Sequence, residues 1–174
     1  GVMETAVCNI VSPGDKVICM HAGKFGERWK ELCEVYGAQV VELQKEWGES
    51  FGPEDIKPLL KQNPDTRAVY ATQSETSTGA LSDVPGIAAV TRQTNALLIV
   101  DSITGIGIHP FKLDDWGVDI AVTGSQKGCM VGPGLGLLGY ATACMKDGPD
   151  NITRPDLQTV LRWVSRLNAV EGYP

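Results

Sequence analysis

Apolar positions along this chain cluster in short runs separated by polar, glycine-bearing stretches, and their spacing predicts alternating strands and helices. Lys16 to Met20, Ala38 to Leu43, Arg67 to Thr72, Ala96 to Val100, Val118 to Val122 and residues 135–141 read as strands. Between them the period changes. Trp29, Leu32, Cys33 and Tyr36 fall at i, i+3, i+4, i+7 and predict a helix over 26–36, closed by Gly37 as a C-cap. Residues 2–11, 53–62 and 86–94 read as further helices, the second opened by Pro53 with acidic residues in its first turn. Strands alternating with helices imply βαβ units and a mainly parallel sheet, an α/β architecture with helices on both faces. Past a polar linker at 146–151 the pattern changes again. Pro155 to Ala169 predicts an amphipathic helix with Leu157, Val160, Leu161, Val164 and Leu167 on one stripe.

Composition narrows the function classes. The chain has 174 residues, 43% of them apolar, enough for one domain with a sizeable core. A net charge of −6 without a basic block argues against nucleic acid. No apolar run approaches a membrane span and the start is not a signal peptide. Five cysteines with no Cys-x-x-Cys point to a reducing, cytoplasmic setting, with Cys8, Cys19 and Cys33 as small buried hydrophobes. Asn151-Ile152-Thr153 matches a glycosylation sequon by chance in such a setting. The two histidines, His21 and His109, have no ligand-like neighbours, so no metal site is expected. Gly134-Leu135-Gly136-Leu137-Leu138-Gly139 fits the dinucleotide pattern in letters only, because it lies within a strand-like run rather than at a strand–turn–helix junction.

Chemistry concentrates at strand ends. Asp101 ends the run 96–100, and Lys127 follows the run 118–122 inside Thr123-Gly124-Ser125-Gln126-Lys127-Gly128. In an open α/β sheet the carboxyl ends of neighbouring strands share one crevice. A lysine amine and a carboxylate meeting there are the pair that pyridoxal phosphate requires: the amine forms a Schiff base, and the carboxylate keeps the pyridine nitrogen protonated. An isolated strand-end aspartate caps turns and an isolated lysine is usually solvated, so the weight lies in the two together. The loop Gln73-Ser74-Glu75-Thr76-Ser77-Thr78-Gly79 follows another strand end and offers hydroxyls to a cofactor ring or phosphate.

Gly23-Lys24-Phe25-Gly26-Glu27-Arg28, Glu75 to Gly79, Val100-Asp101-Ser102 and Thr123 to Gly128, in that order along Gly1 to about Ala143, resemble the class V, fold-type I pyridoxal-phosphate aminotransferases. Alanine–glyoxylate and serine–glyoxylate aminotransferases are the most similar in appearance. The resemblance implies a three-layer α/β/α cofactor domain over 1–145, while residues 146–174, a linker and amphipathic helix of unknown role, do not resemble the family. It implies that Lys127 carries the cofactor, Asp101 pairs with the ring nitrogen, Phe25 stacks on one ring face and Ile103 packs on the other. Thr76 would bond near the ring hydroxyl, Gln126 would help hold the phosphate, and Met3-Glu4 would open a helix facing it. Cysteine desulfurases have a histidine before the lysine and another over the ring; Gln126 and Phe25 stand there, which favours transamination over a lyase or desulfurase reaction. The family's phosphate loop and its small domain would lie outside this sequence, so the chain is expected to be the large domain alone. Family members are dimers acting on small amino and 2-oxo acids. A non-catalytic remnant or assembly subunit that keeps the fold is the alternative.

Overall fold

The uninterrupted apolar runs become the buried centre of a sheet, as parallel strands covered on both faces require. The computed structural model describes residues 1–141. In chain order it has α1 (Val2–Cys8), β1 (Lys16–His21), α2 (Lys24–Val35), β2 (Gln39–Gln44), α3 (Pro53–Gln62), β3 (Ala68–Thr72), β4 (Ser74–Glu75), β5 (Ala80–Leu81), α4 (Val84–Thr91), β6 (Leu97–Asp101), α5 (Leu113–Trp116), β7 (Ile120–Gly124) and β8 (Gly136–Tyr140). The main sheet runs β2-β1-β3-β6-β7-β8, all parallel except β8, which is antiparallel to β7.

Successive strand residues point to opposite faces, and each face has its own core. Val17, Cys19, Tyr70, Ile99 and Val122 pack against Met3, Ala6 and Val7 of α1 and Trp29, Leu32 and Cys33 of α2. Ile18, Met20, Val69, Leu98 and Val100 pack against Ile56 and Leu60 of α3 and Ile87 and Ala88 of α4. Trp29 is fully buried, stands 5.0 Å from the Tyr70 ring and donates its indole N–H to the Ala71 carbonyl at 3.3 Å. This three-layer α/β/α sandwich is the expected fold class.

Local chemistry explains most element ends. Gly37 takes φ +80°, while its N–H reaches Glu34 O at 3.0 Å and the Ala38 N–H reaches Cys33 O at 2.9 Å, the paired closure that stops α2. Asp55 accepts the Gly52 N–H at 2.8 Å and starts α3 behind Pro53. Three features depart from the sequence reading. Helix α2 begins at Lys24 rather than 26, α4 at Val84 rather than 86 because Asp83 accepts the Gly86 N–H at 3.0 Å, and the hairpin β4–β5 and the single turn α5 carry too few residues to show a period. Cys8 is half-buried, unlike Cys19 and Cys33. The expected helix at 155–169, the sequon and Cys144 lie outside the described residues.

Candidate functional site

Parallel pairing brings the ends of β3, β6 and β7 to one edge, with Thr72 in register with Asp101 and Asp101 in register with Val122. Asp101 is buried, 4% exposed. Its Oδ1 accepts the Ile103 N–H at 2.8 Å, and Oδ2 has no partner among the described residues. Burial pushes the Asp101 carboxyl up to about 6; the Ile103 N–H opposes the rise and the Glu75 charge adds to it. Beside it on the same face, the Thr72 hydroxyl is buried and without a hydrogen bond. A buried carboxylate with one oxygen unclaimed among the described residues, next to an orphaned hydroxyl, has room for a further donor.

The loop after β7 carries Gln126 and Lys127, both exposed. Neither side chain makes a hydrogen bond or ion pair with a described residue. Ser125 anchors the loop: its hydroxyl donates to Gly132 O at 2.8 Å and accepts the Leu135 N–H at 3.3 Å. Loop 125–131 lies backbone to backbone on loop 105–108, because Gly107 and Gly128 have no side chains between them. Helix α1 starts at the same edge, where Val2 lies against Gly136, which pairs with Gly124. The Met3 side chain is in the core and the Glu4 carboxylate accepts the Tyr36 hydroxyl at 3.1 Å, so neither side chain serves that edge.

In the loop after β3, the exposed Thr76 shares a 3.0 Å hydroxyl–hydroxyl hydrogen bond with Thr104, three residues beyond Asp101. Three other side chains of the loop are bonded within the protein. Ser77 donates to Glu75 at 2.6 Å, Thr78 accepts the Ala80 N–H at 3.3 Å, and the Gln73 amide holds Ser102 and, at 3.0 Å, Pro110 O. The expectation that the whole loop offers hydroxyls to a ligand narrows to Thr76 and to Ser74, whose hydroxyl has no hydrogen bond to a described residue. Phe25, in the first turn of α2, is 42% exposed, and Ile103 is half-buried against the core. Phe25, Thr76, Asp101, Ile103, Gln126 and Lys127 thus share one edge of the sheet. Glu75 was not singled out by the sequence reading; it is 5% exposed and joins this loop to α2. A shallow hollow of about 390 Å³ between Phe111, Leu113, Thr123 and Leu137 contains none of these six residues.

The fold is an α/β sandwich whose adjacent parallel strands β6 and β7 lead, at one edge, to a buried carboxylate, Asp101, and an exposed lysine, Lys127. The comparisons give the family. Its model, aminotransferase class-V, matches residues 2–150, and the chain belongs to that family. It is 42% identical to L-aspartate–glyoxylate aminotransferase of Paracoccus denitrificans, over 100% of this chain and 45% of that protein. It is 35% identical to serine–glyoxylate aminotransferase of Methylorubrum extorquens, over 90% of this chain and 40% of that protein. The crystal structure of alanine–glyoxylate aminotransferase from Nostoc superposes with a TM-score of 0.77 at 37% identity, over 80% of this chain and 37% of that one. The likeness therefore continues past residue 143, where the sequence reading ended it, and the tail is not foreign to the family. The chain spans less than half the length of these relatives. Among the described residues no helix is long and apolar enough to cross a membrane, and no cluster of three or more His, Cys, Asp or Glu could hold a metal ion.

Proposed function

We propose that this chain is the cofactor-holding part of a pyridoxal-phosphate-dependent aminotransferase that moves an amino group between a small amino acid and a small 2-oxo acid such as glyoxylate. The single observation that carries the reading is Asp101: buried at the end of β6, one oxygen unclaimed, on the edge that also presents Lys127. The residues fit the cofactor. Asp101 would hold a proton at the ring nitrogen, Phe25 and Ile103 would enclose the ring, Thr76 would bond its polar rim, and Gln126 with the start of α1 would face the phosphate. The cofactor, when bound, supplies the electron sink that stabilises a carbanion at the substrate α-carbon. Lys127 supplies the amine that anchors it, and once released takes the α-proton and returns it elsewhere. On its glycine-flanked loop the Lys127 side chain has no partner among the described residues, and as the neutral amine it can serve both roles.

The activities that name the relatives support transamination with glyoxylate, and the small-molecule nature of those substrates agrees with an acidic chain lacking a basic block. In this reading the working protein is a cytoplasmic homodimer. Mixing the chain with pyridoxal phosphate and recording the visible spectrum tests it. A new band that borohydride bleaches supports cofactor holding; a spectrum equal to the sum of protein and free cofactor opposes it and favours a remnant that keeps only the fold.

A further inference from the structure

Helix α2 has no capping side chain of its own: Gly23 precedes it, and no side chain from that position meets its free N–H groups. A helix start leaves such donors unsatisfied and carries a partial positive charge. The Glu75 carboxylate, 49 and 50 residues away in sequence, supplies what is missing. Oε2 accepts the Gly26 N–H at 2.8 Å and Oε1 accepts the Phe25 N–H at 3.3 Å. The same Oε1 accepts the Ser77 N–H at 3.1 Å and the Ser77 hydroxyl at 2.6 Å, and that hydroxyl accepts the Lys24 N–H at 3.0 Å. Gly23 has to be glycine for this, since a Cβ there would stand 2.6 Å from the Ser77 hydroxyl oxygen. The carboxylate is sealed, so it cannot itself be a ligand for substrate. It also fills the anion position of α2, so a cofactor phosphate has no place at that helix start.

We propose that Glu75 is a positioning residue of the cofactor site, an imported cap that fixes Phe25 relative to Thr76. The inference rests on the functional reading above for what those two side chains hold. One carboxylate bonds the backbone of Phe25 and is the immediate chain neighbour of Thr76, whose hydroxyl is tied to Thr104. Loosening Glu75 therefore lets the aromatic ring and the hydroxyl drift apart without touching either. Its charge also reaches Asp101, whose raised pKa it supports.

The test uses Glu75→Ala and Glu75→Gln in this chain, with amide hydrogen exchange read without cofactor and pyridoxal phosphate affinity read by absorbance titration. The amide variant keeps an acceptor at one oxygen but sets an NH2 against the Gly26 N–H, so it separates charge and acceptor number from bulk should the alanine variant fail to fold. The expected result is exchange at Phe25, Gly26 and Ser77 rising at least ten-fold in either variant, with Leu98 and Val100 unchanged, and cofactor affinity falling about ten-fold or more. Unchanged exchange at the three amides overturns the proposal, as does raised exchange with affinity within two-fold of the parent. The exchange arm needs no cofactor. A parent chain that takes up no pyridoxal phosphate therefore contradicts the functional reading, while the cap is still judged by its amides.

Discussion

Gly107 and Gly128 meet backbone to backbone: a Cβ on Gly107 would stand 2.9 Å from the Gly128 carbonyl oxygen. Gly107 also takes φ +87°, a conformation costly for any other residue. The contact joins the loop after Asp101 to the loop that carries Lys127, so it sets how the two chemical groups approach. A Cβ on Gly128 would overlap the Ile106 carbonyl oxygen. Gly128→Ala should therefore cost about 1–3 kcal/mol of stability, as overpacking does, and weaken cofactor retention. Gly132→Ala, where a Cβ meets nothing within 4 Å, should change neither. Urea unfolding of both variants checks this, and equal midpoints would contradict it.

Asp101 makes stability depend on pH in a stated direction. Its folded pKa, about 6, lies above the value of about 3.9 for a free carboxyl. Between those values the native state keeps a proton that the unfolded chain has lost, so this group's contribution is full below about pH 4 and is lost as pH rises through 6. The loss approaches about 3 kcal/mol. Asp101→Asn removes the titration and keeps an acceptor for the Ile103 N–H. The stability difference, variant minus parent, should grow from pH 4 to 6.5 and then level off. Denaturant melts of both proteins across that range decide it, and a difference that stays flat rules the shift out.

Phe25 and Trp29 lie four residues apart on α2 and should answer differently to truncation. Trp29 is fully buried, and Trp29→Ala should cost about 3–5 kcal/mol. Phe25 is 42% exposed, and Phe25→Ala should move stability by less than about 1 kcal/mol while lowering pyridoxal phosphate affinity several-fold. A Phe25 variant with unaltered affinity would remove this ring from the site.

The strands, and the placement of Lys127 and Asp101 at one edge of the sheet, were legible in the sequence for one physical reason. Strands buried on both faces read as unbroken apolar runs, and the first polar residues after them mark the edge where ligands bind. The start of α2 at Lys24 was not legible, because its cap comes from Glu75 and not from a neighbour. The signal was a helix preceded by Gly23, without Ser, Thr, Asp or Asn, alongside a lone acid in a hydroxyl-rich loop. Likewise Thr76 and Ser77 look alike as letters, and only the fold turns one outward and the other onto Glu75.

Removing the Thr76 hydroxyl with Thr76→Val should leave stability nearly unchanged, since the side chain is exposed and Thr104 keeps its bond to Ser74 O at 3.0 Å. Cofactor affinity should fall by roughly five-fold, the worth of one hydrogen bond of about 1 kcal/mol. An affinity equal to the parent's would place Thr76 outside the cofactor's reach.

The central claim is that Lys127 is the amine that holds pyridoxal phosphate. Other lysines near the sheet are occupied: Lys112 pairs with Asp115 at 3.5 Å, Lys45 with Asp55 at 2.8 Å and Lys24 with Glu27 at 3.3 Å. The most direct measurement is borohydride reduction of the chain mixed with pyridoxal phosphate, followed by peptide mass spectrometry. A pyridoxyl adduct is expected on Lys127, lost in Lys127→Ala without transfer to another site. An adduct centred on any other lysine, or none above the level of denatured protein, would contradict it.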